Sequence, residues 1–353
     1  MKHAPQIIGL GLANPKLKIT QKEALAFIRN SCSLPKSALL LYAKICANHS
    51  IKTRTVALKN LAESLESDPD KVQARFEQNA LELSARALKN ALRRANVRAQ
   101  ELDFLAGGTC TGYMCPGIAA QLIDRAGLRK DIRYVEVVGM GCGSALPALE
   151  QAHNFILANP GSTAATVATE ICTAAAAWEP KVDFIVSNAI FADGSAATVL
   201  KAGKRLGAPQ IRGFLSLTRP DWKDSLRFIH CQGRLQNRLA KDVPEKSGSL
   251  VKELTNRFLS SPMVGKKKKI RRWLLHSGGQ KVLAAIAREL VLSPAQLASA
   301  YWVLGRYGNM SSPSVLFCLN KEMQSKPYPE PGELGLLAAF GAGFAAHGCI
   351  LEF

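Results

Sequence analysis

Three times along this chain a short apolar run stops at a polar or nucleophilic residue beside glycine and gives way to a stretch of helical periodicity. That repeated order demands strands that end in tight turns, each followed by a helix, which is the pattern of an α/β architecture. Arg133–Val138 reads as a strand, Gly139–Ser144 (GMGCGS) as a tight turn and Ala145–Leu157 as a helix. Trp273–Leu275 ends a second strand, His276–Gly279 (HSGG) is its turn and Gln280–Leu290 the helix beyond. A third unit sets Gly305–Asn309 (GRYGN) before an apolar helix that runs through Leu319. Upstream, periodicity predicts a long helix over Asp70–Arg94 and then a strand over Leu102–Ala106. The recurrence predicts a duplicated α/β unit, with halves 1–207 and 208–353 meeting near Gly207–Gly213. Lys241–Arg272 reads as an irregular, basic insertion, and the glycine-rich Phe340–Phe344 as a turn between two C-terminal strands.

The 353 residues, 47% of them hydrophobic, can bury a large core. No stretch approaches the roughly 20 uninterrupted apolar residues of a membrane helix, so a cytoplasmic enzyme without a transmembrane segment is expected. Nine cysteines occur without a CxxC pair or a histidine at zinc-ligand spacing, which argues against a disulfide framework or a metal site. The net charge of +19 points to an anionic partner. Its densest run, Lys266–Arg272, lacks the interleaved aromatics of a single-strand binder, so nucleic acid is not expected.

Among the cysteines, Cys142 stands apart because glycines flank it immediately before a helix. Backbone N–H groups and the helix dipole there are expected to favour its thiolate. Gly141 and Gly143 allow a sharp turn and the close approach of an acyl thioester. His276 and Asn309 occupy the equivalent turns of the other two units. A thiolate that accepts an acyl group, with an imidazole and an amide that donate to an enolate oxygen, is the set needed to join carbon atoms between thioesters.

Thr109–Gly117 (TCTGYMCPG), Gly139–Leu146 (GMGCGSAL), Phe191–Ser195 (FADGS), Lys241–Pro244 (KDVP), His276–Gly279 and Tyr307–Phe317 (YGNMSSPSVLF) follow one another in an order and spacing that resemble the chalcone synthase-like, or type III polyketide synthase, family. The resemblance implies a thiolase-like five-layered αβαβα fold built from two duplicated halves, a homodimer, and a triad of Cys142, His276 and Asn309. It also implies acyl-CoA starters, malonyl-CoA as extender, and no tightly bound cofactor. The first gatekeeping phenylalanine of the plant enzymes falls on Phe191, but the second falls on Asn237. Thr111, Cys115, Cys172, Ala175 and Ser311 match the cavity wall and are nearly all small. Lys52 and Arg54 resemble the basic residues that hold coenzyme A phosphates, and Gly278 and Gly279 complete the cofactor-side loop. These features together favour a fatty acyl starter and an alkylpyrone or alkylresorcinol product. Two alternatives stay open: a β-ketoacyl-carrier-protein synthase III-like enzyme, whose acyl carrier protein the basic run would meet, and a non-catalytic basic binding protein.

Overall fold

Small and β-branched residues such as those of Thr163–Ile171 (TAATVATEI) let a strand be covered on both faces, and this one is buried at every position. The computed structural model describes residues 4–265 and 268–353. In the first half the strands are β1 (Pro5–Ala13), β2 (Leu17–Thr20), β3 (Thr53–Val56), β4 (Phe104–Gly108), β5 (Arg133–Val137), β6 (Thr163–Ile171) and β7 (Asp193–Ala202). The second half holds β8 (Gln210–Thr218), β9 (Leu226–Cys231), β10 (Arg234–Leu239), β11 (Ile270–Leu275), β12 (Leu334–Gly341) and β13 (Ala345–Glu352). The helices are α1 (Gln21–Ser31), α2 (Lys36–Cys46), α3 (Pro69–Ala95), α4 (Ile118–Arg125) and α5 (Ala145–Ala158). They continue with α6 (Val182–Ile190), α7 (Val243–Leu259), α8 (Gln280–Leu290), α9 (Ala298–Tyr307) and α10 (Ser314–Gln324).

Nine strands form one sheet in the order β11-β12-β13-β8-β1-β7-β6-β4-β5. Strands β1 and β8 meet at a single pair, Gln6 with Gln210, so the sheet has a narrow seam there. On each side of it the pairing repeats: β4 runs parallel to β6 and then β7 and β1 follow antiparallel, as β11 runs parallel to β12 and β13 and β8 follow antiparallel. Helix α3 covers one outer face, α7 and α8 the other, and α5 and α10 lie between, touching strands of both halves. This is the five-layered thiolase-like arrangement.

Asp68 starts α3 by accepting from the N–H groups of Asp70 and Lys71, and Asn96 ends it in the left-handed region. Its apolar face contains Val72, Phe76, Leu83, Leu88 and Leu92, each contributing about 1.5–3 kcal/mol by burial. Alanines on the same face let the helix close onto β1: a Cβ on Gly11 would lie 2.1 Å from the Ala87 carbonyl oxygen.

The segment expected to be irregular, Lys241–Arg272, is instead mostly helix α7, followed by the start of β11. Val243, Leu250, Val251, Leu254 and Phe258 bury one face of α7, and its many charges, which obscured that stripe in the sequence, lie on the other side. Gly305 likewise belongs to α9, and only Gly308 and Asn309 form the turn after it. Strand β4 begins two residues later than expected, at Phe104. Among the described residues no helix is long and apolar enough to cross a membrane.

Candidate active site

Cys142 sits in a single 3₁₀ turn, Gly141–Gly143, between β5 and α5. Gly141 has φ +57°, and a Cβ on it would lie 2.7 Å from the Ala342 backbone nitrogen. From the opposite side, a Cβ on Gly341 would lie 2.3 Å from the Met140 carbonyl oxygen and 3.0 Å from the Cys142 nitrogen. The β12–β13 hairpin thus clamps the turn, and only glycine fits at the contact. Cys142 is 7% exposed. The Ser311 hydroxyl donates to its Sγ at 3.1 Å. Burial outweighs that donor and pushes the thiol up to about 12, so the helix start does not hold a preformed thiolate as expected from the sequence.

His276 continues the edge of β11, its N–H bonded to the Ala338 carbonyl at 2.8 Å. The ring meets Phe340 edge-on with centroids 5.0 Å apart. Burial lowers its pKa to about 3, which keeps the imidazole neutral. Nδ1 is enclosed without a partner, leaving Nε2 as the nitrogen that can exchange a proton with the site.

Asn309 is fixed at both ends. Its backbone N–H bonds to the Ile190 carbonyl at 2.9 Å, and its carbonyl accepts from Ala192 at 2.8 Å, forming a parallel bridge with Phe191. Nδ2 donates to the Gly278 carbonyl at 3.0 Å, and Oδ1 accepts from the Ser311 N–H at 2.8 Å. Ser311 has φ +59°, a left-handed conformation unfavourable for a non-glycine residue, and in it the serine reaches both Asn309 and Cys142. A hydrogen-bonded path therefore runs from the loop after His276 through Asn309 and Ser311 to Cys142.

Beneath this path lies a group that reasoning from sequence missed. Glu170, on β6, is fully buried and accepts from Ser312 Oγ at 2.6 Å, Thr111 Oγ1 at 2.8 Å, the Cys110 N–H at 3.0 Å and Cys110 Sγ at 3.2 Å. Ser311 Oγ lies 3.4 Å from the same carboxyl. Burial raises the carboxyl above its usual range, and the donors oppose that rise. The sequence signal was a lone glutamate in the otherwise small and apolar TAATVATEI run.

The remaining candidates separate. Cys172, Ala175, Phe191, Asn237 and Ser311 line one narrow cavity, which Phe27, Leu61, Trp178 and Phe228 extend. Thr111 instead faces Glu170, and Cys115 is exposed. Lys52 is exposed and free to meet an anion. Arg54 is 5% exposed, and its Nε and Nη1 bond to Gln21 Oε1 and to the carbonyls of Asn188 and Phe191. Gly278 abuts His276: a Cβ there would lie 3.3 Å from Nε2. Gly279 (φ +149°) leads into α8. Of the basic run, Lys266 and Lys267 lie outside the described residues. Lys268 pairs with Glu352 at 2.9 Å, and Arg272 with Glu322 at 3.0 Å and Glu333 at 2.8 Å.

Behind the Gly141–Gly143 turn, His347 is 4% exposed, with Nδ1 2.8 Å from Ser216 Oγ. A Cβ on Gly143 would lie 2.7 Å from this ring. Burial lowers its pKa to about 4. Because the folded value is below the ordinary one of about 6.5, the unfolded chain binds a proton that the folded chain refuses, and stability falls as pH drops from about 6.5 towards about 4. Glu170 and Asp193, whose carboxyls burial raises, act in the opposite sense, so the informative measurement is a comparison of variants. Between pH 7 and 5 the unfolding free energy of wild type should fall by about 2 kcal/mol more than that of His347→Phe in urea titrations. Equal slopes would show that this ring titrates normally.

Comparison with known proteins accords with this geometry. A family model described as FAE1/type III polyketide synthase-like protein matches residues 12–208, and one described as chalcone and stilbene synthases, C-terminal domain, matches residues 228–352. The chain is 30% identical over 362 residues to a 3,5-dihydroxyphenylacetyl-CoA synthase of Streptomyces toyocaensis, covering 99% of this chain and 90% of that protein. It is 27% identical to the alpha-pyrone synthesis polyketide synthase-like Pks18 of Mycobacterium tuberculosis, over 98% of this chain and 90% of that one. The crystal structure of PKS-I from the brown alga Ectocarpus siliculosus superposes with a TM-score of 0.90 at 25% identity, covering 99% of this chain and 98% of that one.

Proposed function

We propose, because this chain belongs to the type III polyketide synthase family and is thus a condensing acyltransferase, that it extends a fatty acyl-CoA starter with malonyl-CoA and closes the product to an alkylpyrone or alkylresorcinol. The observation that carries the reading is the hydrogen-bonded path from Gly278, in the loop after His276, through Asn309 and Ser311 to Cys142.

In the loading step Cys142 Sγ attacks the starter thioester. The new C–S bond forms as coenzyme A leaves as its thiolate, and His276 Nε2 takes up and keeps the thiol proton until the cysteine sulfur is released by condensation and recovers it. Starting from a neutral thiol and a neutral imidazole, this transfer accompanies attack rather than preceding it. In the second step malonyl-CoA loses carbon dioxide, and the electron pair of the broken C–C bond enters an enolate. Nε2–H of His276 and the second N–H of Asn309 Nδ2 donate to its oxygen. The enolate carbon then attacks the acyl-Cys142 carbonyl, a C–C bond forms, and the cysteine sulfur is released. No base at carbon is required.

The starter assignment rests on the cavity wall, where Ile19, Phe27, Ile28, Leu58, Leu61 and Trp178 present hydrocarbon beyond the small Cys172 and Ala175. Each methylene buried there contributes about 0.8 kcal/mol, or about fourfold in kcat/KM. A panel of acyl-CoAs with malonyl-CoA, read by mass spectrometry, should therefore show medium and long chains far ahead of acetyl-CoA. Ala175→Phe should move the optimum to shorter starters and leave malonyl-CoA decarboxylation nearly intact. A uniform loss at every chain length, or a wild-type preference for acetyl or compact aromatic starters, would dismiss the fatty assignment.

The reading includes a cytoplasmic homodimer that uses coenzyme A thioesters as substrates and holds no cofactor tightly. Strand β5 ends the sheet, and the exposed Tyr134, Val138 and Tyr113 near it suit a second copy. Delivery by a carrier protein finds less support, because Lys268 and Arg272 of the basic run are already paired within the chain.

A further inference from the structure

Between Ala4 and Ala62 the chain carries nine lysines and arginines and a single acid, Glu23. Arg54 is buried, whereas Lys16, Lys18, Lys22, Arg29, Lys36, Lys44, Lys52 and Lys59 are exposed. Among the described residues none of these exposed cations forms an ion pair. Glu23 does not offset them locally, because it is engaged with Thr20 in capping α1.

Helices α1 and α2 arrange four of the cations into two stripes. On α2, Lys36, Leu40 and Lys44 follow one another at intervals of four, opposite the buried Ala38 and Tyr42, so a leucine that is 61% exposed stands between two lysines. On α1, Lys22 and Arg29 lie seven apart with the exposed Ala26 between them, opposite Ala24 and Ile28. The core that the two helices share is small, and Leu25, Leu34, Leu41 and Ile45 at its border stay half-buried. Cations beside exposed apolar side chains on a helical face match an anionic bilayer, where headgroup phosphates meet the charges and the apolar groups reach the acyl boundary. The inner side of α1 favours lipid over an acidic protein. Ala24, Phe27 and Ile28 line the cavity that Ser311 borders, so the helix that carries outer cations is also a wall of the site. We propose that α1 and α2 form a docking face for the surface of an anionic lipid bilayer, which holds the cavity close to the phase in which fatty starters and alkyl products dissolve. The choice of lipid rests on the fatty acyl reading above.

The full chain, without substrates, is mixed with vesicles of phosphatidylcholine alone or with phosphatidylglycerol added, and bound protein is read by flotation at low and high salt. Wild type should bind the anionic vesicles at least about tenfold more tightly than the neutral ones and lose most of that binding at high salt. Lys36→Gln combined with Lys44→Gln should weaken binding about tenfold and Leu40→Gln about threefold, while circular dichroism and acyl loading from a short, soluble acyl-CoA stay at wild-type levels. A wild type without anionic preference, or variants that bind as it does, would overturn the proposal. So would a loss confined to the lysine variant, since charge alone would then hold the protein without seating α2. Tighter binding to an acyl carrier protein than to vesicles would give the face to a protein partner, and a raised malonyl-CoA KM in the lysine variant with vesicle binding unchanged would give it to the coenzyme; either result sinks the lipid assignment. Because binding is read without turnover, a wild type that docks yet prefers compact starters would refute the fatty reading and leave the docking face standing.

Discussion

Cys142→Ala is expected to lose acyl loading and all product formation, at least about 10³-fold in turnover, with little change in stability. The eight other cysteines should not substitute for it. Cys110 is the nearest rival, since its sulfur lies 3.5 Å from the same Ser311 hydroxyl, but it also lies 3.2 Å from the Glu170 carboxyl, and burial with that charge holds its thiol well above the usual range. Cys172 lines the cavity and is raised for the same reasons, burial first and Asp193 next. Intact-mass spectra after acyl-CoA treatment decide the matter, because an acyl adduct on the Cys142→Ala protein would remove the central assignment. The substitution deletes only a sulfur, and Ser311 keeps Glu170 within reach, so melting temperatures should stay close to wild type.

The second large effect should separate the two donors. Asn309→Ala removes an N–H aimed at the enolate and should slow malonyl-CoA decarboxylation about 10²–10³-fold while starter still loads. That variant also strips the Gly278 carbonyl and the Ser311 N–H of their partners. Asn309→Asp controls for this, because its oxygen can still receive the Ser311 N–H although no donor remains. Both should therefore fail at decarboxylation. His276→Ala should be impaired in loading as well, since Nε2 carries the thiol proton. Normal carbon dioxide release by Asn309→Asp, or normal loading by His276→Ala with a defect confined to decarboxylation, would reassign these roles.

Much of this arrangement was legible in the sequence because local signals and tertiary demands agreed. The apolar period of residues 70–94 gave α3 almost to its ends, and the turn residues located α5 and α8. Helix α7 escaped because charged residues, a proline and a glycine are interleaved with its buried positions, so composition suggested a loop where period 3.6 was present. Side-chain direction was the weaker inference. Arg54 has the residue type of an anion ligand, and nothing within five residues of it announces that its Nη1 bonds to the backbone carbonyls of Asn188 and Phe191. Glu170 was overlooked for the converse reason: a carboxylate in a buried strand gains meaning only when Ser312, Thr111 and Cys110, distant in sequence, converge on it. The acidity of Cys142 was misjudged because a helix start was considered without the burial that accompanies it.

The clamp of the β12–β13 hairpin on the Gly141–Gly143 turn has a consequence for the birth of the enzyme. Residues 334–352 are added to the growing chain long after residue 142, and until they arrive the nucleophile turn lacks the wall against which Gly341 and Ala342 press it. The first half can begin to fold during synthesis, but a ribosome-bound chain ending before Leu334 carries a cysteine without its site. The turn that carries Cys142 is therefore complete only when the second half has folded back onto the first.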